Sequence, residues 1–260
     1  MKIEDPYKKK EVLKLLKIIG IDTRFISYTE NTIYINDQRF SKFSKKRQET
    51  FNKYYPEMNI ISSGTFQKIC IRASKVLSEQ LSPKDKILLL KPENDIDELL
   101  KIVLEPYSRK YGVQLIESNI KASDIDKIDM DFNIIDSNID FAIDKDINII
   151  ARSLTLDEKV EDVLSNIFSG NGIGDINKKE NKEFKFIYPF INISNNWIDS
   201  FNKQFNENYI DKNKDKKNKN ETSIIIADSF MEFLDNIIPQ YKENFLKSTI
   251  FIENNLNKKN

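Results

Sequence analysis

The sequence contains no histidine. That absence removes the Ser-His-Asp triad, the Cys-His pair, the imidazole general base and every histidine-built zinc site. Asp, Glu, Lys, Tyr and one thiol are left for acid–base work. Cysteine occurs once, as Cys70, which excludes an internal disulfide and any cysteine-built zinc or iron–sulfur centre and fits a reducing compartment. An excess of either charge is missing too: 41 basic residues balance 41 acidic ones, so nothing global draws the chain to nucleic acid or to an anionic membrane, and any basic surface must be local. No apolar run approaches the ~18 residues of a membrane helix, and the N-terminus from Met1 to Lys10 is polar. These features predict a soluble cytoplasmic protein with no membrane partner. What is present suffices for a real core, since 39% of 260 residues are hydrophobic, enough for one large α/β domain with attachments or for two smaller ones.

The organising stretch is Lys86-Ile-Leu-Leu-Leu-Lys91-Pro92-Glu93-Asn94-Asp95-Ile-Asp97-Glu98-Leu99-Leu100. Ile87 to Leu90 has the character of a buried strand, and Ile96, Leu99, Leu100 and Val103 recur at helical spacing. A turn from the C-terminal end of a strand into a helix is where α/β proteins bind phosphate. Such a loop needs glycines, so that successive backbone N–H groups can turn inward. Here there is none, and Pro92 stands in the middle.

Before this stretch, Val12, Leu15, Leu16 and Ile19 predict a helix over 8–19 with Gly20 as its stop. Phe25–Tyr28 and Ile33–Ile35 predict a β-hairpin. Arg39, Lys42, Lys45, Lys46 and Arg47 follow, interleaved with Phe40 and Phe43. Such a patch can hold a nucleic-acid backbone and stack a base; the competing reading is a helix with core phenylalanines and a solvated basic face. A helix over Gly64–Leu81 leads through Ser82-Pro83-Lys84-Asp85 into the central strand. A helix over Asp95–Lys110 and a strand over Val113–Ile116 then complete a βαβ unit, hence a parallel sheet.

The aspartates from Asp124 to Asp146 read as a solvated acidic face, because no glycine and closing Glu are placed as a calcium loop requires. Ile147–Ile150 predicts a strand and Thr155–Phe168 a helix. Gly170, Gly172 and Gly174 follow that helix, so they read as a C-cap and loop and not as a nucleotide motif. Phe184–Phe190 predicts a strand and Ser194–Phe205 a helix carrying Trp197. Residues 211–220 read as a flexible polar loop, and helices over 224–238 and 241–255 are separated by Pro239.

Taken in order, these segments resemble the PP-loop ATPase superfamily, in particular its tRNA 2-thiolation branch. Ile71–Val76 through Pro83–Leu88 is similar to the family's approach to its first strand. Lys91-Pro92-Glu93-Asn94-Asp95-Ile96 falls where the family has SGGxDS. Leu154-Thr-Leu-Asp157-Glu158-Lys-Val-Glu161-Asp162-Val-Leu164-Ser-Asn166 through Gly170 resembles the family's H-x-x-DD-x-AE-T-x-L-x-N helix. Phe186-Ile-Tyr-Pro189-Phe resembles its IRPL strand. The cover is roughly residues 68–252. The resemblance implies a five-stranded parallel sheet flanked by helices, the adenine nucleotide α-hydrolase fold, with an N-terminal helix-hairpin extension and C-terminal helices. The corresponding division is 1–60, 61–206 and 207–260. It also implies ATP and magnesium for active members, tRNA as substrate, and pairing with an active PP-loop paralogue or a second copy of the chain.

The departures from the family fall on its chemistry. Lys91 stands at the first Ser, Pro92 and Glu93 at the Gly pair and Ile96 at the last Ser, with Asp95 retained. Pro92 removes one N–H donor, and Glu93 aims a carboxylate at a polyphosphate. Two like charges ~4 Å apart cost about 4 kcal/mol at an effective dielectric of 20. Leu154 replaces the family's histidine, and its cysteines and N-terminal zinc ligands are absent. The expectation is a degenerate, non-catalytic subunit or RNA-binding partner in tRNA modification, with Lys91, Pro92, Glu93, Asn94, Asp95, Asp157 and Glu158 as a vestigial nucleotide site and no resident cofactor, zinc or iron–sulfur cluster. The alternative is an active nucleotide-dependent enzyme, ATP-dependent and adenylating if it follows the family, that reuses a remodelled cleft around Asp95, Asp157 and Glu158, with Lys91, for an altered nucleotide or another ligand; Asp157 and Glu158 would be its magnesium or positioning pair.

Overall fold

A computed structural model describes residues 6–122, 146–173, 185–205 and 222–257. The aspartate-rich stretch up to Asp144, Gly174 and the polar loop at 211–220 lie outside them. The chain forms two compact units, Met1–Ser153 with Glu183–Pro189, and Leu154–Lys182 with Phe190–Asn260.

In the first unit, helix α1 (Pro6–Ile18) buries Val12 and Leu16 against a small sheet. Strands β1 (Ile26–Tyr28) and β2 (Thr32–Ile35) form the expected antiparallel hairpin, with Ile26 opposite Ile35. A third strand, β3 (Asn59–Ile61), runs parallel to β2, and helix α2 (Lys45–Tyr54) precedes it, burying Phe51 completely. These elements share one apolar cluster that includes Ile21, Ile33 and Met58. Helix α3 (Gly64–Gln80), capped by Ser63, then buries Phe66, Ile69, Cys70, Ala73, Val76 and Leu77, three or four residues apart along one face.

The central sheet has four strands among the described residues: β4 (Lys86–Leu89), β5 (Gln114–Glu117), β6 (Ile149–Ala151) and β7 (Lys185–Ile187). Their order is β5-β4-β6-β7 and every pairing is parallel. The five strands of the expectation become four, because every apolar run identified within 86–190 is already one of these. The fifth came from the resemblance alone. β4 and β6 are the inner strands and are buried almost throughout, as continuous Ile/Leu runs require.

The predicted helix over Asp95–Lys110 is two helices, α4 (Asp95–Leu104) and α5 (Tyr107–Lys110). Pro106, without an N–H, sits at the break. Around it, the buried Glu105 carboxylate accepts from Tyr28 N (3.1 Å), Arg109 Nη2 (2.6 Å) and Lys9 Nζ (3.0 Å). Arg109 also donates to the carbonyls of Thr23 and Ile26. One buried carboxylate thereby ties α1, β1 and the α4–α5 junction together. Burial opposes ionisation of Glu105, but Arg109 and Lys9 prevail and hold its pKa below the usual carboxylate value.

The second unit is helical among the described residues: α6 (Leu156–Phe168), α7 (Asn195–Phe205), α8 (Thr222–Ile237) and α9 (Tyr241–Asn257). Leu156, Val160 and Leu164 of α6 pack with Ala227, Met231, Tyr241 and Leu246 in one cluster. Gly170, at φ +78°, closes α6 by donating to the Ile167 carbonyl, the left-handed cap that glycine adopts without strain. Among the described residues, no helix is long and apolar enough to cross a membrane.

Candidate functional site

The sheet order sets the place. From β4 the chain crosses to β5 on one side, and from β6 to β7 on the other. Connections diverge between β4 and β6, and in open parallel sheets ligands bind outside the carboxyl ends of the strands at such a point. The segment after β4, Lys91 to Asp97, and the segment after β6, Arg152 and Ser153, stand there.

Four of the six backbone donors of the first segment, those of Lys91, Glu93, Ile96 and Asp97, are engaged by the chain itself. Lys91 N donates to the Ile120 carbonyl (2.8 Å), extending the β4–β5 ladder. Pro92 has no N–H. Glu93 N donates to Asp97 Oδ2 (2.9 Å). Ile96 N and Asp97 N both donate to Asn94 Oδ1 (2.9 Å each), which makes Asn94 the N-cap of α4. The other Asp97 oxygen, Oδ1, accepts from the Ser153 hydroxyl. A carboxylate of the chain therefore sits at the helix N-terminus, held by a loop N–H and by a hydroxyl from the neighbouring strand end. These are the kinds of donor a bound phosphate would use. Asp95, Asp97 and Glu98 fill the first turn of α4, as its dipole favours. With Glu93 they give four acids within 93–98, against Lys91, Arg152 after β6 and Lys121, which pairs with Glu93 at 3.9 Å, a local excess of acid that opposes a polyphosphate. Among the described residues, the side chains of Lys91 and Asp95 make no hydrogen bond or ion pair.

Asp97 and Ser153 were not among the residues singled out from sequence. Asp97 lay in the organising stretch without a role of its own. Ser153 stands 56 positions away, and no local pattern announces the pair.

Asp157 and Glu158 belong to the second unit, at the start of α6. Glu158 is part of a capping box: its backbone N–H donates to Thr155 Oγ1 (3.3 Å), and its carboxylate accepts from Thr155 N (3.0 Å). Asp157 accepts from Asn195 N (2.8 Å), at the start of α7, and from Lys242 Nζ (2.7 Å), which reaches it from α9. Lys242 bridges onward to Asp235 Oδ2 at 2.8 Å. The Asp157 and Lys242 side chains are only 14% and 12% exposed, so this is a part-buried structural tie. Burial pulls the Lys242 pKa down, but its hydrogen bonds to Asp157 and Asp235 outweigh that and leave it raised. For a magnesium ion these acids offer little, since both are engaged. Among the described residues no group of three or more His, Cys, Asp or Glu side chains could hold a metal.

The basic segment is dispersed by the fold. Lys42, Lys45 and Lys46 are exposed, the last two on the first turn of α2. Arg47 turns back, donating to the Lys42 carbonyl (2.9 Å). It also packs over Gly20, where a Cβ would lie 2.8 Å from Arg47 Nη2 and φ is +81°. Phe43 packs on the core around Phe51, while Phe40 remains 52% exposed. Arg39 forks onto the Asp37 carboxylate, with Nη2–Oδ2 at 2.7 Å and Nε–Oδ1 at 3.0 Å. These hydrogen bonds lower the Asp37 pKa and raise that of Arg39.

The structure brings Arg24 and Phe25 to the same place. Asp22-Thr23-Arg24-Phe25 repeats the pattern Asp37-Gln38-Arg39-Phe40, with the same bidentate Asp–Arg fork. Phe25 and Phe40 stack at 4.3 Å and 20°. Each guanidinium lies over its neighbouring ring, at 5.9 Å for Arg24 and 5.6 Å for Arg39, and Lys110 Nζ is 4.8 Å from the Phe25 centroid. The Asp-x-Arg-Phe repeat was the sequence signal for this surface, and reading along charge runs passed over it.

No family model matches the chain, and none of the curated proteins matches it. Among solved structures, the U34-tRNA thiolase NcsA from Methanococcus maripaludis, determined with its 4Fe-4S cluster, is similar at 12% identity and a TM-score of 0.50. The match covers 78% of this chain and 83% of that one. The residues here do not fit such a cluster, because Cys70 is the single cysteine and is buried. The likeness is one of fold: this chain carries the helix-flanked parallel α/β architecture of a PP-loop tRNA thiolase, as the resemblance in its sequence implied.

Proposed function

We propose that the chain is a degenerate PP-loop-fold protein that has given up nucleotide chemistry and works as a non-catalytic, RNA-binding subunit in tRNA modification. The observation that carries this is the Asp97 carboxylate seated on the Glu93 N–H and the Ser153 hydroxyl. A polyphosphate would have to displace a covalently tethered anion, meet three further acids, and still lack the donor that Pro92 cannot supply. The fold shared with a tRNA thiolase supports the pathway assignment.

The RNA contacts assigned by this reading are Lys42, Lys45, Lys46 and Arg47 for phosphates, with Arg39, Arg24 and the exposed Phe40 as a stacking platform. Fluorescence anisotropy with unfractionated tRNA over a salt series tests it. Reversing Lys45, Lys46 and Arg47 to Glu should weaken binding and flatten the salt dependence by about one unit of slope per lost phosphate contact. Absence of binding by the wild type, or an unchanged slope in the variant, refutes the assignment.

The side chains of Lys91 and Asp95, without a partner among the described residues, support the second reading, an enzyme that uses a remodelled cleft. A thermal-shift screen with nucleotides separates the two. A saturable stabilisation that Asp95→Asn abolishes favours the enzyme.

A further inference from the structure

Helix α8 buries Ala227 and Met231 within its unit and presents a second apolar line to solvent. Ile226, Phe230, Phe233 and Ile237 are 45%, 39%, 58% and 58% exposed. Their spacing of four, three and four residues sets them in one row along the helix, the spacing of a helix-pairing seam. The row reads Ile, Phe, Phe, Ile from either end, symmetric about the midpoint between Phe230 and Phe233. Phe168, at the end of α6 and 41% exposed, stands edge-on to Phe230 at 5.8 Å and widens the patch.

From this surface we infer that α8 is the contact between two copies of the chain, paired antiparallel across a two-fold axis. In that arrangement Ile226 faces the partner's Ile237, and Phe230 faces the partner's Phe233. The same residues serve both sides, as an isologous interface requires.

The symmetry of the row favours a second copy as the occupant, and charge does not oppose it. The ionisable residues of α8 are Asp228, Glu232 and Asp235. At 100° per residue they fall on the side of the helix away from the row. Two α8 helices can therefore meet without setting acid against acid, despite the lack of any basic residue on this helix. The shoulder of the row carries Ser229 and Asn236. Ser229 Oγ donates to the Ile225 carbonyl and Asn236 Nδ2 to the Glu232 carbonyl, both at 2.9 Å. The Ser229 hydroxyl and one of the two Asn236 N–H groups thus already have partners when the seam closes. Apolar rows of this length are seldom left in water by monomers. One helix pair covers less than the roughly 800 Å² per partner of a standard interface, so association on the order of micromolar is expected.

Sedimentation velocity of the full chain over a concentration series tests the inference. The wild type should pass from monomer to dimer. Phe233→Asp should raise the midpoint concentration by about 30-fold or more, as for a central interface residue, with helix content by circular dichroism retained. A geometric arm does not depend on how that variant folds. Mixed Ile226→Cys and Ile237→Cys chains should join by a disulfide on mild oxidation while neither does so alone; Cys70, being buried, stays silent. A wild type that stays monomeric throughout assigns the row to a different protein and overturns the inference. So does a dimer indifferent to Phe233→Asp, or an Ile226→Cys chain that cross-links to itself.

Discussion

The two places where the PP-loop resemblance puts its chemistry use an acid in different ways. After β4, an acid at the edge of solvent, Asp97, accepts from the Glu93 N–H and the Ser153 hydroxyl in a loop without glycine. At the start of α6, a part-buried acid, Asp157, joins three helices through Asn195 and Lys242. The first acid holds a loop N–H and a hydroxyl, and the second holds an ammonium within a helical framework. The same residue type thus answers two needs, and its partners decide which. A carboxylate held by neutral donors can be removed at modest cost, whereas removing one paired with a largely buried ammonium strands that charge.

That contrast is broken or sharpened by substitution. The largest effect should come from Asp157→Ala. It leaves Lys242 largely buried with only Asp235, and chemical denaturation should show a loss of about 2–3 kcal/mol, somewhat below the usual cost of splitting a buried pair because Asp235 remains. A loss under ~1 kcal/mol would mean that the tie does not hold the helices. Next, Asp97→Ala frees a loop N–H and a hydroxyl that water can reach, and about 1 kcal/mol should be lost. If its cost matched that of Asp157→Ala, the distinction between the two acids would collapse. Thr155→Ala, which removes the cap of α6, should also cost about 1 kcal/mol or slightly less.

The smallest effect is a pH dependence. Lys242 has its pKa raised above 10.5 in the fold. Its contribution is therefore complete below pH 10.5 and is lost as the pH climbs through the raised value. Urea midpoints measured from pH 9 upward should fall faster for the wild type than for Lys242→Met. Parallel curves would remove the ion pair from the account.

How much of this was legible depended on range. The central strand showed as an uninterrupted apolar run at Ile87–Leu90, and α6 showed as a helical pattern over Thr155–Phe168; both signals are local. Pro106 was an equally local signal, but the apolar periodicity from Ile96 through Val103 carried the predicted helix past it. Strand β3 is three residues long and gains its identity only from pairing with β2, so no period marks it. The missing Gly pair and the presence of Pro92 were plain in the sequence. That Asp97 occupies the place depends on a side chain folding back on Glu93 and on a serine from another strand end, and tertiary structure alone creates that meeting. Asp157 and Glu158 were found for their chemistry. Their partners in the fold are Lys242 and Thr155, at a helix start whose dipole favours acids.

The central claim is that the loop after β4 carries its own anion and takes no nucleotide. Isothermal titration of the full chain with ATP and magnesium tests it most directly, with the Asp95→Asn variant beside it. No saturable heat is predicted for either protein. Saturable wild-type binding with one-to-one stoichiometry that Asp95→Asn removes would contradict it.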